Sequence, residues 1–143
     1  MKLVQQVLDT KGRDIISITP GASVLDAVKL MAEKSIGSLL IMQGNELIGI
    51  ITERDYARKV IIKGRSSEST EVREIMTADI CSTTSQQTVS ECMAIVTERK
   101  IRHLPVIDDG VVTGMLSIGD LVRAIISDQQ DEITHLEQYI SGA

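Results

Sequence analysis

The chain writes one pattern twice. From Asp14 to Ile62 the sequence recurs at a constant offset of 65 positions without a gap. Asp14, Ile15, Ser17 and Thr19 return as Asp79, Ile80, Ser82 and Thr84. Leu39, Gly49, Asp55, Arg58 and Ile61 return as Leu104, Gly114, Asp120, Arg123 and Ile126. Upstream the offset becomes 68, so that Val4, Val7 and Leu8 face Val72, Ile75 and Met76. The first copy therefore carries an insertion around Thr10-Lys11-Gly12. An internal period of this length restricts the fold to one supersecondary unit used twice, and one copy alone offers too little apolar area to be stable.

Each copy has the same local signals. A short strand is expected first, over 15–18 and 80–84. A helix follows, because Val24, Ala27, Val28 and Met31 fall at i, i+3, i+4 and i+7, as do Val89, Cys92, Met93 and Val96. Ser23 and Thr88 stand at the N-cap positions, with Asp26 and Glu91 three residues on as box partners. Two hairpins come next: SLLIM-QGNE-LIGII with a Gly-Asn turn, and HLPVI-DDG-VVTGML with an Asp-Gly turn. A second helix starts near Glu53 and near Ile118. The order is β-α-β-β-α, twice, an α+β class with a sandwich-like layering of helices on sheet. The expected divisions are 1–62 for the first repeat with its N-terminal segment, 63–71 for an exposed polar linker, 72–128 for the second repeat, and 129–143 as a helical extension. Ile133, Leu136, Tyr139 and Ile140 stripe that extension, suited to packing on its own domain or to a dimer contact.

The core must be aliphatic: the 143 residues include no Phe, no Trp and two Tyr, while 43% are hydrophobic. Base stacking on aromatic rings is almost unavailable. The formal charge of -5 argues against a broad phosphate-backbone interface, yet leaves room for one small anion in a local basic cluster. Cys81 and Cys92, without a signal-peptide pattern, are expected to be reduced thiols in the cytoplasm. No run is long and apolar enough for a membrane span. Neither a paired-ligand metal spacing nor a nucleophilic triad or phosphate-binding loop is present in the sequence, so no catalysis and no metal are expected.

The heptapeptides GIITERD (49–55) and GMLSIGD (114–120) are the pieces that carry chemistry. Thr52-x-x-Asp55 and Ser117-x-x-Asp120 are capping boxes, which accounts for both pairs structurally. The same groups suit a nucleotide. A strand ending at a helix start leaves N–H donors and a positive dipole end. The hydroxyl donates to phosphate, and the Asp accepts from the two hydroxyls of a ribose. Gly49 and Gly114 permit close approach of a backbone or a ligand.

The duplicated β-α-β-β-α pattern, the stretch IRHLPVID (101–108) and both heptapeptides resemble a tandem pair of CBS domains, named for cystathionine β-synthase, from about Val4 to Ile126. ITERDYARKV (51–60) is especially similar to small stand-alone CBS-pair proteins. The resemblance implies two repeats related by a pseudo-two-fold axis, with adenine nucleotides in clefts between them. It places Thr52 with Asp55 at one site and Ser117 with Asp120 at the other. The adenine is expected against Ile15, Ile16, Ile51, Ile80, Cys81 and Leu116, and phosphate near Arg54, Arg102 and His103. Ile118 and Gly119 replace Glu53 and Arg54, so the sites should differ. Arg58 and Arg123 are expected on solvated helix faces, Tyr56 in the core or a dimer interface, His135 exposed, and Lys11-Gly12 in a turn, with a phosphate-reaching Lys11 as the alternative. The implied role is a non-catalytic regulatory sensor of AMP, ADP or ATP, or of NAD(H), acting as a homodimer on an unknown regulated protein. The alternatives are an interaction scaffold with vestigial clefts, and a nucleic-acid binder, against which charge and composition weigh.

Overall fold

The computed structural model describes residues 1–142. The elements are α1 (Val4–Lys11), β1 (Ser17–Ile18), α2 (Val24–Lys34), β2 (Ser38–Gln43), β3 (Glu46–Thr52), α3 (Glu53–Tyr56) continued by a π-helical stretch (Ala57–Ile61), a 3-10 turn (Val72–Glu74), α4 (Val89–Arg99), β4 (His103–Asp108), β5 (Val111–Ser117) and α5 (Ile118–Ile140). α2 and α4 start where the cap residues place them. Ser23 Oγ accepts from the Asp26 N–H, and Thr88 Oγ1 accepts from the Glu91 N–H. Both helices end on a left-handed residue, Ser35 and Lys100, at equivalent positions.

The hairpins also match across the repeat. β2 pairs antiparallel with β3, and β4 with β5; each ladder carries a bulge at the same place, Ile41/Met42 and Val106/Ile107. In the second turn Asp109 and Gly110 both have positive φ, the type I′ signature. The expected first strands fare differently. β1 runs parallel to β2, whereas 80–84 shrinks to a single bridge, Thr83 with Val106. Proline is the cause. The Leu40 N–H donates to the Ile16 carbonyl; at the equivalent position Pro105 has no N–H to give Cys81.

The chain divides into two compact units that cut across the sequence divisions. One unit is Ile15–Ile80; the other joins Met1–Asp14 to the chain from Cys81 onward. The segment leading into each repeat is thus built into the unit of the other repeat. Two pairs of hydrogen bonds correspond. The Val24 N–H donates to Thr70 O and the Val72 N–H to Ala22 O; in the other unit the Val89 N–H donates to Lys2 O and the Val4 N–H to Gln87 O. Bridges Ser23–Glu71 and Leu3–Thr88 correspond likewise. The expected exposed linker 63–71 is consequently held at its end: Thr70 is buried, and Ser67 O takes the Leu25 N–H. The first N–H groups of α2 have no intrahelical acceptors, and this segment supplies them.

Each unit has its own aliphatic core. One gathers Val24, Ala27, Met31, Leu39, Ile41, Ile51, Val60, Val72 and Ile75. The other gathers Val4, Val7, Leu8, Val89, Cys92, Val96, Leu104, Val106, Leu116, Leu121 and Ala124. The two heptapeptide glycines serve these cores. A Cβ on Gly114 would lie 2.7 Å from Leu8 Cδ2, and one on Gly49 would meet Met76. Leu8 and Met76 are equivalent residues at the offset of 68, so each lead segment seats one long side chain on the other repeat's glycine. A packed side chain, rather than a backbone or ligand, uses the missing Cβ.

α5 continues through the expected extension to Ile140. Its stripe does not pack on its own unit: Ile133, Leu136, Tyr139 and Ile140 are all at least half exposed.

Candidate functional site

In both units the strand β3 or β5 ends at a hydroxyl residue that caps the next helix. At the first junction Asp55 is buried and its carboxylate is fully engaged. Oδ2 accepts from the Thr52 N–H at 3.0 Å and from Thr52 Oγ1 at 3.1 Å. Oδ1 accepts from Thr77 Oγ1 at 3.3 Å and is ion-paired with Lys59 Nζ at 2.9 Å. Lys59 Nζ also donates to the Ile75 carbonyl at 2.8 Å. Thr52 Oγ1 accepts the Asp55 N–H in return, at 3.1 Å.

At the second junction Asp120 is equally buried. Oδ2 accepts from the Ser117 N–H at 2.8 Å and from Lys11 Nζ at 2.7 Å, and Oδ1 accepts from Arg123 at 2.7 Å. Lys11 Nζ donates to the Met115 carbonyl as well. Burial pushes the Asp120 carboxyl up, but the Lys11 hydrogen bond, the Ser117 N–H and the Lys11 charge outweigh it. The group is held below the usual carboxylate range.

The helix starts are less open than the sequence suggests. The Glu53 N–H already donates to Gly37 O and the Ile118 N–H to Arg102 O. The third N–H of each helix is taken by the capping hydroxyl. Of the adenine-facing candidates, Ile51 and Leu116 have no exposed surface and belong to the cores, so neither is open to a ligand. Ile16, Ile80 and Cys81 are half-buried, and Ile15 is exposed. Arg54 and Arg102 are exposed, and His103 is half-buried at the start of β4. Arg123, expected on a solvated face, is exposed but paired to Asp120. Cys92 is a buried thiol beside Thr83, and burial pushes its pKa up, which suits an inert core residue.

Three participants escape a sequence reading of the site. Lys59 lies four residues after Asp55, a helical pair spacing that does give a signal. Lys11 ends α1 and reaches Asp120 across 109 positions, which only the exchanged lead segment explains. Thr77 has no local signal. A surface pocket of about 540 Å³ in the first unit, lined by Val28, Met31, Ile36, Glu53 and Tyr56, lies on the α2–α3 face and does not include Asp55.

Two repeats like β-α-β-β-α, the second with its first strand reduced to one bridge, each close on a hydroxyl-capped helix with a buried carboxylate and define a duplicated α+β module. Among the described residues no group of His, Cys, Asp and Glu could hold a metal ion, and no helix is long and apolar enough to cross a membrane. The CBS domain profile matches residues 6–62 and 72–127, and the chain belongs to that family as a tandem pair. A mitochondrial CBS domain-containing protein of Arabidopsis thaliana, CBSX3, is 40% identical over 97% of this chain and 72% of its own length. A solved structure of a candidate signal-transduction protein with CBS domains from Burkholderia ambifaria MC40-6 is 50% identical, covers 90% of this chain and 96% of its own, and superposes with a TM-score of 0.86. The CBS pair of protein MJ0100, solved in complex with 5′-methylthioadenosine and S-adenosyl-L-methionine, is 25% identical with a TM-score of 0.80 over 90% of this chain and 98% of its own. CBS pairs of this kind are regulatory modules and not catalysts.

Proposed function

We propose that this CBS pair is a sensor that binds adenosine-containing ligands at its two strand-to-helix junctions. The observation that carries the reading is the duplicated junction: Thr52 with Asp55 and Ser117 with Asp120, each a hydroxyl beside a buried carboxylate. The adenosyl ligands of the MJ0100 pair support the ligand class. AMP, ADP and ATP lead, followed by NAD(H). Ile15, Ile16, Ile80 and Cys81 would face the base, and Arg54, Arg102 and His103 the phosphate. For such a sensor to signal, its ligand must bind two states of the protein with different affinity. A homodimer, and a regulated protein that reads its state, complete the proposal. Two free thiols suit a reducing compartment, the cytoplasm or the organelle that the Arabidopsis relative's name indicates.

A second reading has an observation of its own. Both capping boxes are complete without any ligand, which suits a scaffold whose heptapeptides only start helices. A thermal-shift screen separates the two. The wild type is heated with AMP, ADP, ATP, NAD, NADH and S-adenosylmethionine, alongside Asp55→Ala and Asp120→Ala. A ligand at a hundred times its Kd adds about 2.7 kcal/mol of stability. A shift lost in one variant identifies ligand and site together; silence from every ligand at millimolar concentration leaves the scaffold reading standing.

A further inference from the structure

The two carboxylates that the proposed function assigns to a ribose are already occupied. A carboxylate offers about four acceptor positions. At Asp55 all four are filled, by the Thr52 N–H, Thr52 Oγ1, Thr77 Oγ1 and Lys59 Nζ. Each ribose hydroxyl that donates to Asp55 must therefore displace a present partner. The Thr52 groups belong to the helix cap, and Thr77 lies on the segment that pairs with Ile50. Lys59 is the long side chain at this site, and it is 44% exposed. At Asp120 the corresponding mobile partners are Lys11, 37% exposed, and Arg123, 73% exposed.

The two lysines do not correspond in the repeat. At the offset of 65 Lys59 faces Ala124, a buried core residue. Lys11 comes from the insertion that only the first copy carries. Duplication of an ancestral lysine therefore does not explain the coincidence. The chain delivers an ammonium to the same acid by two unrelated routes, and in each case the ammonium also bonds a backbone carbonyl, Ile75 O or Met115 O. An ammonium has three N–H donors, so each lysine keeps donor capacity for a ligand.

Resting on the adenosyl-sensor reading, we propose that Lys59 and Lys11 are exchangeable counter-ions that leave the carboxylate for a phosphate on the 5′ side of the ligand, and so select phosphorylated adenylates over uncharged or cationic adenosyl compounds. An adenylate supplies both halves of the exchange: a ribose hydroxyl replaces the ammonium at the acid, and its phosphate receives the ammonium. A thioether has no charge to receive it. A sulfonium places a second cation beside it. The cost of separating a buried acid from its cation is then left uncompensated.

The test is calorimetric titration of the full chain with AMP and with 5′-methylthioadenosine, which share the adenosine and differ at the 5′ position. The wild type is expected to prefer AMP. Lys59→Met and Lys11→Met should each weaken AMP at one site by about tenfold or more, the scale of a hydrogen bond to a charged group, while leaving methylthioadenosine unchanged or tighter. Lys59→Arg keeps the charge and should keep the preference. Lys59→Gln and Lys11→Gln stand in if a Met variant does not give the wild-type circular dichroism spectrum. Equal losses for AMP and methylthioadenosine would show that the lysines only orient the acids, and would overturn this proposal while the sensor reading stands. A wild type that binds methylthioadenosine as tightly as AMP has the same consequence. Binding of neither ligand refutes the sensor reading and this proposal together.

Discussion

Replacing Gly114 by alanine tests the claim that the heptapeptide glycines exist for packing. The backbone there has no positive φ, so alanine introduces no dihedral strain, and the whole effect is steric. The new Cβ would lie 2.7 Å from Leu8 Cδ2 and 2.8 Å from Cδ1. Ordinary carbon contacts need about 3.5–4.0 Å, so Leu8 must retreat by roughly 1 Å. It has nowhere to go, because Leu8 is 0% exposed. Overpacking of this kind costs about 1–3 kcal/mol. Leu8→Ala alone opens a cavity and costs about 2–5 kcal/mol. In the double variant the new methyl enters that cavity, so Gly114→Ala should cost almost nothing on the Leu8→Ala background. Urea unfolding followed by far-ultraviolet circular dichroism measures all four species; tryptophan fluorescence is no help, since the chain has none. Additivity of the two changes within about 0.5 kcal/mol would refute the packing argument. Gly49→Ala is the internal control. Its clash is with Met76, a flexible and half-buried side chain, so it should cost less than Gly114→Ala.

Three further outcomes are expected. A fragment of residues 15–80 should unfold cooperatively, whereas 1–62 should not, because the latter omits the core residues Val72 and Ile75 and exposes Val4, Val7 and Leu8; denaturation curves of both decide it. Asp120 has a folded pKa below its unfolded value of about 3.9, so its stabilisation is complete well above that pH and is lost as pH falls through the folded pKa. Asp120→Asn should therefore be less stable than the wild type at pH 7 and lose less stability on acidification to about pH 3, read from urea midpoints. Thr88→Ala removes the acceptor for the Glu91 N–H and should cost about 0.5–2 kcal/mol, whereas Thr88→Ser should cost far less.

What was legible in the sequence followed local rules. Ser23, Thr88, Thr52 and Ser117 cap the helices expected of them, because a cap is decided within four residues. The hairpins follow from their turn glycines in the same way. The bulges opposite Gly49 and Gly114 had no such signal, and neither did the loss of the second first strand, although Pro105 could have revealed it. Long-range placements were not legible. No local feature around Lys11 points to Asp120, and the repeat alignment suggests that each lead segment stays with its own repeat. Only the hydrogen bonds of Lys2, Val4, Thr70 and Val72 show the exchange. The two sites were therefore readable as caps and acids, and unreadable as salt-bridged pairs.

The exchange of lead segments also sets a timetable for synthesis. The unit Ile15–Ile80 is continuous, so everything it needs has been made once Ile80 leaves the ribosome. The other unit opens with Met1–Asp14 and is closed by α5, whose core residue Ala124 is made more than a hundred positions later. At about 5–20 residues per second that interval is roughly 5–20 seconds. An eight-residue helix such as α1 does not hold its shape alone in water. Residues 1–14 are thus made long before the unit they belong to can close, and Val4, Val7 and Leu8 stay unburied while Ile15–Ile80 folds.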